Sequence, residues 1–322
     1  SEFLETRVFP CWNETVNALR SGVKSLDKLA DVELVDLFFD SLIETASKDP
    51  RLLGEPIKNN REETDNDYRP NPRRRLFAIN WKSEDLITLP LRLYEPLMFR
   101  AMKSRSIPVE YIVSSVCKFA KKWVFDVSGE NREAVEAVER LLPHQRGLIS
   151  CEFLSESLKH SIRLEASSEC RRGFEIRIGK QLDMAKPTDL KILTRGYGEK
   201  AEYFEDVELV KTVVKRFYSN YTDEDSEDVV SHFVKVAKLL EEFLLLAASE
   251  AALELEAFVS LADITATISQ GVLSCSDGIY RAIDVFLENH RYLTETEKME
   301  ACKFLDCKKL SGEGCEQAAR NR

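Results

Sequence analysis

Glycine and proline are scarce in this sequence, with 12 glycines and 10 prolines among 322 residues. Sandwiches and barrels need a turn every ~8–12 residues, whereas long helices with short connections need far fewer. No segment alternates apolar and polar residues with the period of two that marks a half-buried strand. These absences argue against a sheet-based fold. We expect an all-α protein, either a multi-helix bundle or an irregular stack of helix pairs, with one long polar loop and no significant sheet.

The sequence also lacks a long apolar run and an excess of positive charge. Its most apolar stretch, residues 239–255, is interrupted by Glu241, Glu242, Glu250 and Glu254, and a membrane helix needs ~20 apolar residues. Lysine and arginine total 46 against 56 aspartates and glutamates, which gives a net charge of −10. Nucleic-acid binding relies on basic contacts to phosphate, so we expect no nucleic-acid partner. Because the apolar run is interrupted, we also expect no direct membrane insertion. No signal-peptide pattern opens the sequence. We expect an intracellular, cytoplasmic protein, with association of the longer protein with the plasma membrane as an open alternative.

Cysteine is too sparse for a disulfide scaffold of the kind found in small secreted proteins. There is no CxxC pair, and Cys302, Cys307 and Cys315 have only His290 near them in sequence. A structural zinc site usually draws on two close pairs of ligands. We therefore expect reduced thiols and no metal. The eight cysteines are Cys11, Cys117, Cys151, Cys170, Cys275, Cys302, Cys307 and Cys315.

Sequence motifs for catalysis are also missing. The chain has no P-loop, no dinucleotide-binding glycine motif, no HExxH, no nucleophile elbow and no kinase signature. The four histidines, His144, His160, His232 and His290, lie far apart in sequence. We expect no catalytic residues, no cofactor and no enzymatic activity.

The chain divides into a helical segment at 1–50, a polar segment at 51–77 and a main helical domain at 78–322. We expect the main domain to form one continuous fold with 1–50, with a connector near 194–206. The clearest loop, Gly54–Arg75, has three prolines and many charges. It cannot bury enough apolar surface to offset its ordering entropy, so we expect it to be mobile.

Helical periodicity predicts further helices after this loop, with recognisable ends. Pro108 opens one helix, while Pro90 and Pro96 predict a kink or a break in the helix before it. Thr294–Glu297 is a capping box, and Ser311 is placed to cap the last helix. A stripe from Val229 to Ala247 fits either a coiled-coil seam or core packing, and core packing is the more frequent case. The other predicted helices span 131–142, 151–159, 166–182, 187–193, 207–220, 223–249 and 253–268.

The run Ser276–Asp284 is the most informative stretch. Ser276 is placed to cap a helix, and Asp277 puts a carboxylate in its first turn. Arg281 follows Asp277 by four residues and precedes Asp284 by three, so it is spaced to bridge two carboxylates on one helix face. From the residues alone, this is a well-capped helix with an ionic stripe. Its apolar face consists of Ile279, Ala282, Ile283 and Phe286.

This run and its surroundings resemble the plant non-phototropic hypocotyl / root phototropism-like family. In that family, a segment of the type DGLYRAIDxYLKxHP precedes a capped helix, a CxxxDxxKL run and an AxxAAQNxR end. Here the corresponding segments are CSDGIYRAIDVFLENH, LTETEK and CKFLDCKKLSGEGCEQAARNR. The resemblance extends from Ala18 to the end of the chain, apart from the polar loop. This sequence departs from the family at Ile279 (often leucine), Arg291 (usually proline) and Arg320 (often glutamine), so ligand specificity cannot be carried over.

The resemblance implies a substrate-recruiting adaptor of a cullin-3 ubiquitin ligase that acts in plant development and signalling. A BTB domain, absent from this chain, would bind cullin-3, and this domain would bind protein clients. Oligomerisation of the longer protein is possible on this basis. The alternative is a non-catalytic signalling scaffold at the plasma membrane without a ligase role. We interpret the signature residues as structural: Asp277, Gly278, Tyr280, Arg281, Asp284, Asp306, Lys309 and Leu310.

Overall fold

The computed structural model describes residues 8–22, 32–57, 86–126, 131–196, 206–220 and 227–320. These residues form fourteen α-helices and no β-strand, which confirms the all-α prediction. The predicted mobile loop lies outside the described residues beyond position 57, so its mobility stays a prediction. None of the described helices is both long and apolar enough to cross a membrane.

Single 3₁₀ turns lie outside the α-helices at Pro50–Leu53, Leu86–Thr88, Leu182–Met184 and Cys307–Lys309. The α-helices are α1 (Trp12–Gly22), α2 (Val32–Lys48), α3 (Leu91–Ser104), α4 (Val109–Trp123), α5 (Arg132–Leu141), α6 (Cys151–Arg163), α7 (Ser168–Lys180), α8 (Pro187–Thr194), α9 (Val207–Ser219), α10 (Glu227–Ala248), α11 (Leu255–Val272), α12 (Asp277–Asn289), α13 (Glu295–Cys302) and α14 (Gly312–Arg320).

The described residues divide into two compact units. One unit contains the residues up to 149 together with 163–170, and the other contains 150–162 together with the residues from 171 onward. We expected domain boundaries at positions 50 and 77. Of the segment between these positions, the structure describes only residues 51–57. That division stays a prediction.

The first unit is organised around the buried side of α3 and α4. The ring of Tyr94 stacks on Phe119 at a centroid distance of 4.2 Å, and its hydroxyl lies 3.0 Å from that of Ser115. Pro90 precedes α3 as its N-cap, while Pro96 lies inside the helix on its exposed side. The predicted break therefore falls at Pro90, and α3 continues past Pro96 as one helix.

The second unit is built around α10, which packs against α11 and α12. The predicted α10 stripe is largely buried, including Val236, Leu240 and Phe243, so it serves core packing. Phe258 of α11 and Phe286 of α12 stack at a centroid distance of 4.0 Å. This arrangement places the N-terminus of α12 beside the middle of α10.

The helices α7 and α9 of the second unit approach each other closely at Gly179. A Cβ atom on Gly179 would lie 2.6 Å from Cβ of Arg216 and 3.1 Å from the backbone nitrogen of Phe217. Only glycine permits this distance between the two helices, because the neighbouring atoms belong to or adjoin the backbone.

Candidate functional site at the start of α12

The N-terminus of α12 is held by a distant backbone group. Asp277 lies in the first turn as expected, but Ser276 makes no side-chain cap hydrogen bond. The predicted Ser276 side-chain cap is therefore wrong. Its backbone N–H instead donates to the carbonyl oxygen of Lys309 at 3.0 Å. The predicted apolar face is confirmed, because Ile279, Ala282, Ile283 and Phe286 are all buried.

Gly278 allows α12 to approach the side chain of Glu241 on α10. A Cβ atom on Gly278 would overlap Oε2 of Glu241 and would lie 2.7 Å from its Cδ and 2.9 Å from its Cβ. Real Cβ atoms essentially never come within 3.0 Å of such atoms. The carboxylate of Glu241 therefore packs directly against the backbone of α12, which leaves no room for a substrate between them.

Asp277 connects α12 to the segment that leads into α14. The backbone N–H of Ser311 donates to Oδ1 of Asp277 at 2.9 Å. The hydroxyl of Ser311 accepts from the backbone N–H of Gly314 at 3.0 Å, which confirms Ser311 as the cap of α14. A Cβ atom on Gly314 would lie 2.6 Å from Oδ1 of Asp277, so a second glycine permits close contact here.

The turn before α14 carries three further signature residues. The side chain of Asp306 accepts from the backbone N–H of Lys308 at 3.1 Å and shapes the 3₁₀ turn Cys307–Lys309. The ammonium group of Lys309 donates to the carbonyl oxygen of Gln270 at 3.2 Å, near the end of α11. Leu310 follows the turn and is half-buried. We call the contact region of Glu241, Asp277, Gly278, Ser311 and Gly314 the α12 junction.

The structure brings Asp277, Gly278, Asp306, Lys309 and Leu310 together around this junction, but it spreads the remaining signature residues along α12. Tyr280 is buried, Asp284 is half-buried and Arg281 is exposed. The bridge from Arg281 to two carboxylates, expected from sequence spacing, stays a prediction. The charge of Arg281 acts on the carboxylates of Glu241 and Asp277.

The two carboxylates of the junction have opposite electrostatic environments. Burial raises the pKa of Glu241 above its ordinary value, while a polar interaction with Ser269 and the charge of Arg281 partly oppose this. In the described part of the chain, Oε1 of Glu241 is buried without a hydrogen-bond partner. The hydroxyl and backbone N–H of Ser311 hold the pKa of Asp277 below its ordinary value, helped by the charge of Arg281. Two carboxylates whose pKa values are shifted in opposite directions can serve acid–base catalysis. Here, however, Glu241 packs against the backbone of α12 at Gly278.

Glu241 is not predicted as part of this site, because in the sequence it is only a charge that interrupts an apolar run. The available signal was glycine inside helices, since Gly278 and Gly314 occupy positions where alanine forms helix more readily. The identity of the neighbour could not be read from sequence, because Glu241 lies 37 positions before Gly278.

A polar groove of about 800 Å³ lies along α8 in the second unit. Its side chains carry both signs of charge, and Lys191 forms an ion pair with Glu250. Burial raises the pKa of Asp189 in this groove. The groove contains no cysteine, serine or histidine that could act as a nucleophile or base of a catalytic triad. Its lining residues are Glu152, Lys186, Thr188, Asp189, Lys191, Ile192, Arg195 and Glu250.

The cysteines do not form disulfides, and Cys151 and Cys170 are buried. Burial raises the pKa of Cys117 to about 12, so its thiol stays protonated at neutral pH. No group of three or more histidine, cysteine, aspartate or glutamate side chains within the described ranges is placed to hold a metal ion.

Comparison with known proteins gives matches over the whole chain. The family model described as the NPH3 family matches residues 80–315. BTB/POZ domain-containing protein At5g17580 of Arabidopsis thaliana is 77% identical, with 100% of this chain and 59% of that protein covered. BTB/POZ domain-containing protein At3g03510 of the same plant is 52% identical, with 99% of this chain and 57% of that protein covered. This chain thus spans less than two thirds of the length of these relatives. No solved structure matches it.

Proposed function

Because this chain belongs to the NPH3 family, we propose that it is the client-binding part of a substrate adaptor for a cullin-3 ubiquitin ligase. The names of the two relatives state that those proteins contain a BTB/POZ domain. Their remaining length leaves room for that domain outside the region matched here. In this proposal the BTB/POZ domain binds cullin-3, and the helical chain binds the protein to be ubiquitinated.

The packing of the α12 junction is the observation that supports a binding module over an enzyme. Glu241 has the raised pKa that often marks a catalytic acid, yet its carboxylate lies against the backbone at Gly278. We propose that the signature residues of the junction hold α10, α12 and the segment before α14 together. They would then preserve a binding surface formed elsewhere on the chain.

The test uses a protein that carries this chain together with its BTB/POZ domain. We expect purified cullin-3 to bind this protein with unchanged affinity when Gly278 is replaced by alanine, because the substitution acts only on the helical chain. We expect ubiquitin transfer to a client to be lost in the same variant at a temperature that unfolds its helical chain but not that of the unsubstituted protein. Gly271→Ala is the matched control, because a Cβ atom on Gly271 has no neighbour within 4 Å.

Failure to bind cullin-3 would contradict the ligase role. If clients still bound under that outcome, the alternative of a signalling scaffold without ubiquitin chemistry would replace it. Client ubiquitination that continued after the helical chain had lost its fold would contradict the client-binding role of this region.

A further inference from the structure

The polar groove along α8 is lined by two carboxylates that have no basic partner. Asp189 of α8 is only 6% exposed, and Glu152 of α6 lines the same groove. Within the described part of the chain, neither carboxylate forms an ion pair. We propose that this groove, the α8 groove, binds an arginine side chain of a partner protein, whose guanidinium group pairs with Asp189 and Glu152.

The Asp189 carboxylate is held in place by one of its two oxygens. Oδ2 accepts from the backbone N–H of Lys186 at 2.9 Å, as part of the cap of α8. Oδ1 accepts no hydrogen bond from the described residues and stays accessible from the groove. A charged acceptor that is fixed in this way can receive an N–H donor of a ligand in a defined position.

The charges around Asp189 favour a positive ligand. Burial raises the pKa of Asp189 above its ordinary value, and the backbone N–H of Lys186 opposes this. Among the charges that act on this carboxylate, that of Glu152 raises the pKa more strongly than that of Lys186 lowers it. The nearby charges therefore leave Asp189 in a negative environment, which a bound cation would compensate.

The other basic groups of the groove act on other carboxylates. Lys191 forms an ion pair with Glu250, just after the end of α10. Burial raises the pKa of Glu156, and the charge of Arg195 partly opposes this. Neither Lys191 nor Arg195 is among the charges that act on Asp189. The positive charge that compensates Asp189 and Glu152 therefore has to come from the ligand.

An arginine side chain matches these two carboxylates better than a lysine side chain does. Its planar guanidinium group carries five N–H donors and can bond to two oxygens at once. It is also more weakly hydrated than an ammonium group, so it loses less on entering the groove. A groove of about 800 Å³ has room for this long side chain and parts of its neighbours. The net charge of −10 attracts a basic partner from a distance.

The walls of the α8 groove are connected to one another. The ammonium group of Lys159 on α6 donates to the carbonyl oxygen of Leu193 on α8 at 3.2 Å. The ion pair between Lys191 and Glu250 attaches α8 to the segment after α10. A groove that is formed before binding loses less entropy than one that has to be ordered by its ligand.

The proposed arginine site rests on the proposed client-binding function and adds a location and a chemistry to it. The probe is a library of random 12-residue peptides displayed on phage and selected against the intact 322-residue chain. Depletion on the Asp189→Asn chain first removes peptides that bind elsewhere. We expect the remaining peptides to share an arginine. Its replacement by citrulline, which has a similar shape but no charge, should weaken binding about 30-fold, because hydrogen bonds to charged groups have effects of this order.

Two variants separate lost binding from lost folding. Asparagine at position 189 keeps a side-chain oxygen that can accept from the backbone N–H of Lys186, so Asp189→Asn should leave the melting temperature nearly unchanged. Glu152 is exposed, so Glu152→Gln should also leave the fold unchanged while it weakens the selected peptides about fivefold. Glu242→Gln is the matched control, because it removes the same charge from an exposed position of α10 outside the groove. It should leave peptide affinity unchanged.

Four outcomes would overturn the proposal. They are a selection that yields no peptides after depletion, selected peptides that share a lysine instead of an arginine, citrulline peptides that bind equally well, and equal effects of Glu152→Gln and Glu242→Gln.

The proposed function and the proposed site can fail separately. If client ubiquitination persisted in Asp189→Asn but was lost in Gly278→Ala, the proposed function would stand and the arginine site would be wrong. If arginine peptides bound as expected but the longer protein did not bind cullin-3, the arginine site would stand and the ligase role would be wrong.

Discussion

Replacement of Gly278 by alanine tests whether the α12 junction depends on close approach. The new methyl group would overlap Oε2 of Glu241 and lie 2.7 Å from its Cδ and 2.9 Å from its Cβ. The carboxylate could rotate away, but Cβ of Glu241 is fixed by the position of α10. The helices must therefore separate by a few tenths of an ångström. Overpacking of this kind typically costs about 1–3 kcal/mol.

Helix propensity acts in the opposite direction and sets the expected net effect. Alanine favours a helix over glycine by up to about 1 kcal/mol. We therefore expect Gly278→Ala to lower the free energy of unfolding by about 1–2 kcal/mol. For a unit of this size, that corresponds to a fall in melting temperature of about 2–8 °C. Gly271→Ala on α11 has open space around its Cβ position and should raise stability by up to about 1 kcal/mol.

Calorimetry together with a double-mutant cycle provides the assay. Glu241→Ala removes the carboxylate and Cδ but keeps Cβ, so it should relieve part of the cost of Gly278→Ala. We expect a coupling energy of at least about 0.5 kcal/mol, which is the usual size for residues in contact. Additive effects of the two substitutions would refute the close-approach explanation. Equal stabilisation by Gly278→Ala and Gly271→Ala would refute it as well.

Three further substitutions test other parts of the second unit. Gly179→Ala should destabilise it by about 3 kcal/mol, measured by denaturant unfolding, because the new methyl group would meet the backbone of α9; an unchanged midpoint would contradict this contact. Asp277→Asn removes the charged group that accepts from the backbone N–H of Ser311, so it should speed amide hydrogen exchange in α14 while α10 stays protected. Uniform exchange rates in both helices would contradict this prediction. Glu241→Gln should raise the melting temperature at pH 7 and have little effect at pH 4; a lower melting temperature at pH 7 would show that the charged carboxylate is favourable.

Sequence reasoning succeeded where the controlling interactions are local. The capping box at Thr294 is formed as predicted, with the Glu297 carboxylate accepting from the backbone N–H of Thr294 at 2.8 Å. The predicted helix at 207–220 is found at Val207–Ser219, with Asp206 as its cap. Such features depend on residues within one or two turns, so spacing alone is sufficient to find them.

The failures arose where the partner is distant in sequence. Ser276 has the residue type of a helix cap, but its backbone is bonded to Lys309, which lies 33 positions later. Gly278 was assigned to the signature without a physical reason, because its neighbour Glu241 belongs to another helix. In both cases a contact with a distant part of the chain decides the structure, and spacing within one helix does not reveal it.

The two carboxylates of the junction, Glu241 and Asp277, contribute to stability over different ranges of pH. The folded-state pKa of Glu241 is raised above its ordinary 4.5, so its contribution to stability is fully present below that value and is lost as the pH rises through the raised pKa. The pKa of Asp277 is lowered below its ordinary 3.8, so its contribution is present above that value and is lost as the pH falls through the lowered pKa. At neutral pH the junction therefore keeps the benefit of Asp277 and bears the cost of Glu241.

Arg281 acts on both carboxylates in the same direction, because its positive charge lowers the pKa of each one. It therefore favours the charged forms that exist at neutral pH. Gly278 provides the space in which Glu241 lies, and Asp277 holds the segment before α14 through Ser311. The exposed arginine, the glycine and the aspartate of the signature thus have one common neighbour, Glu241. Proximity to Glu241 is a physical reason for Asp277, Gly278 and Arg281 to occur together. This reason does not require any of the three residues to contact a client.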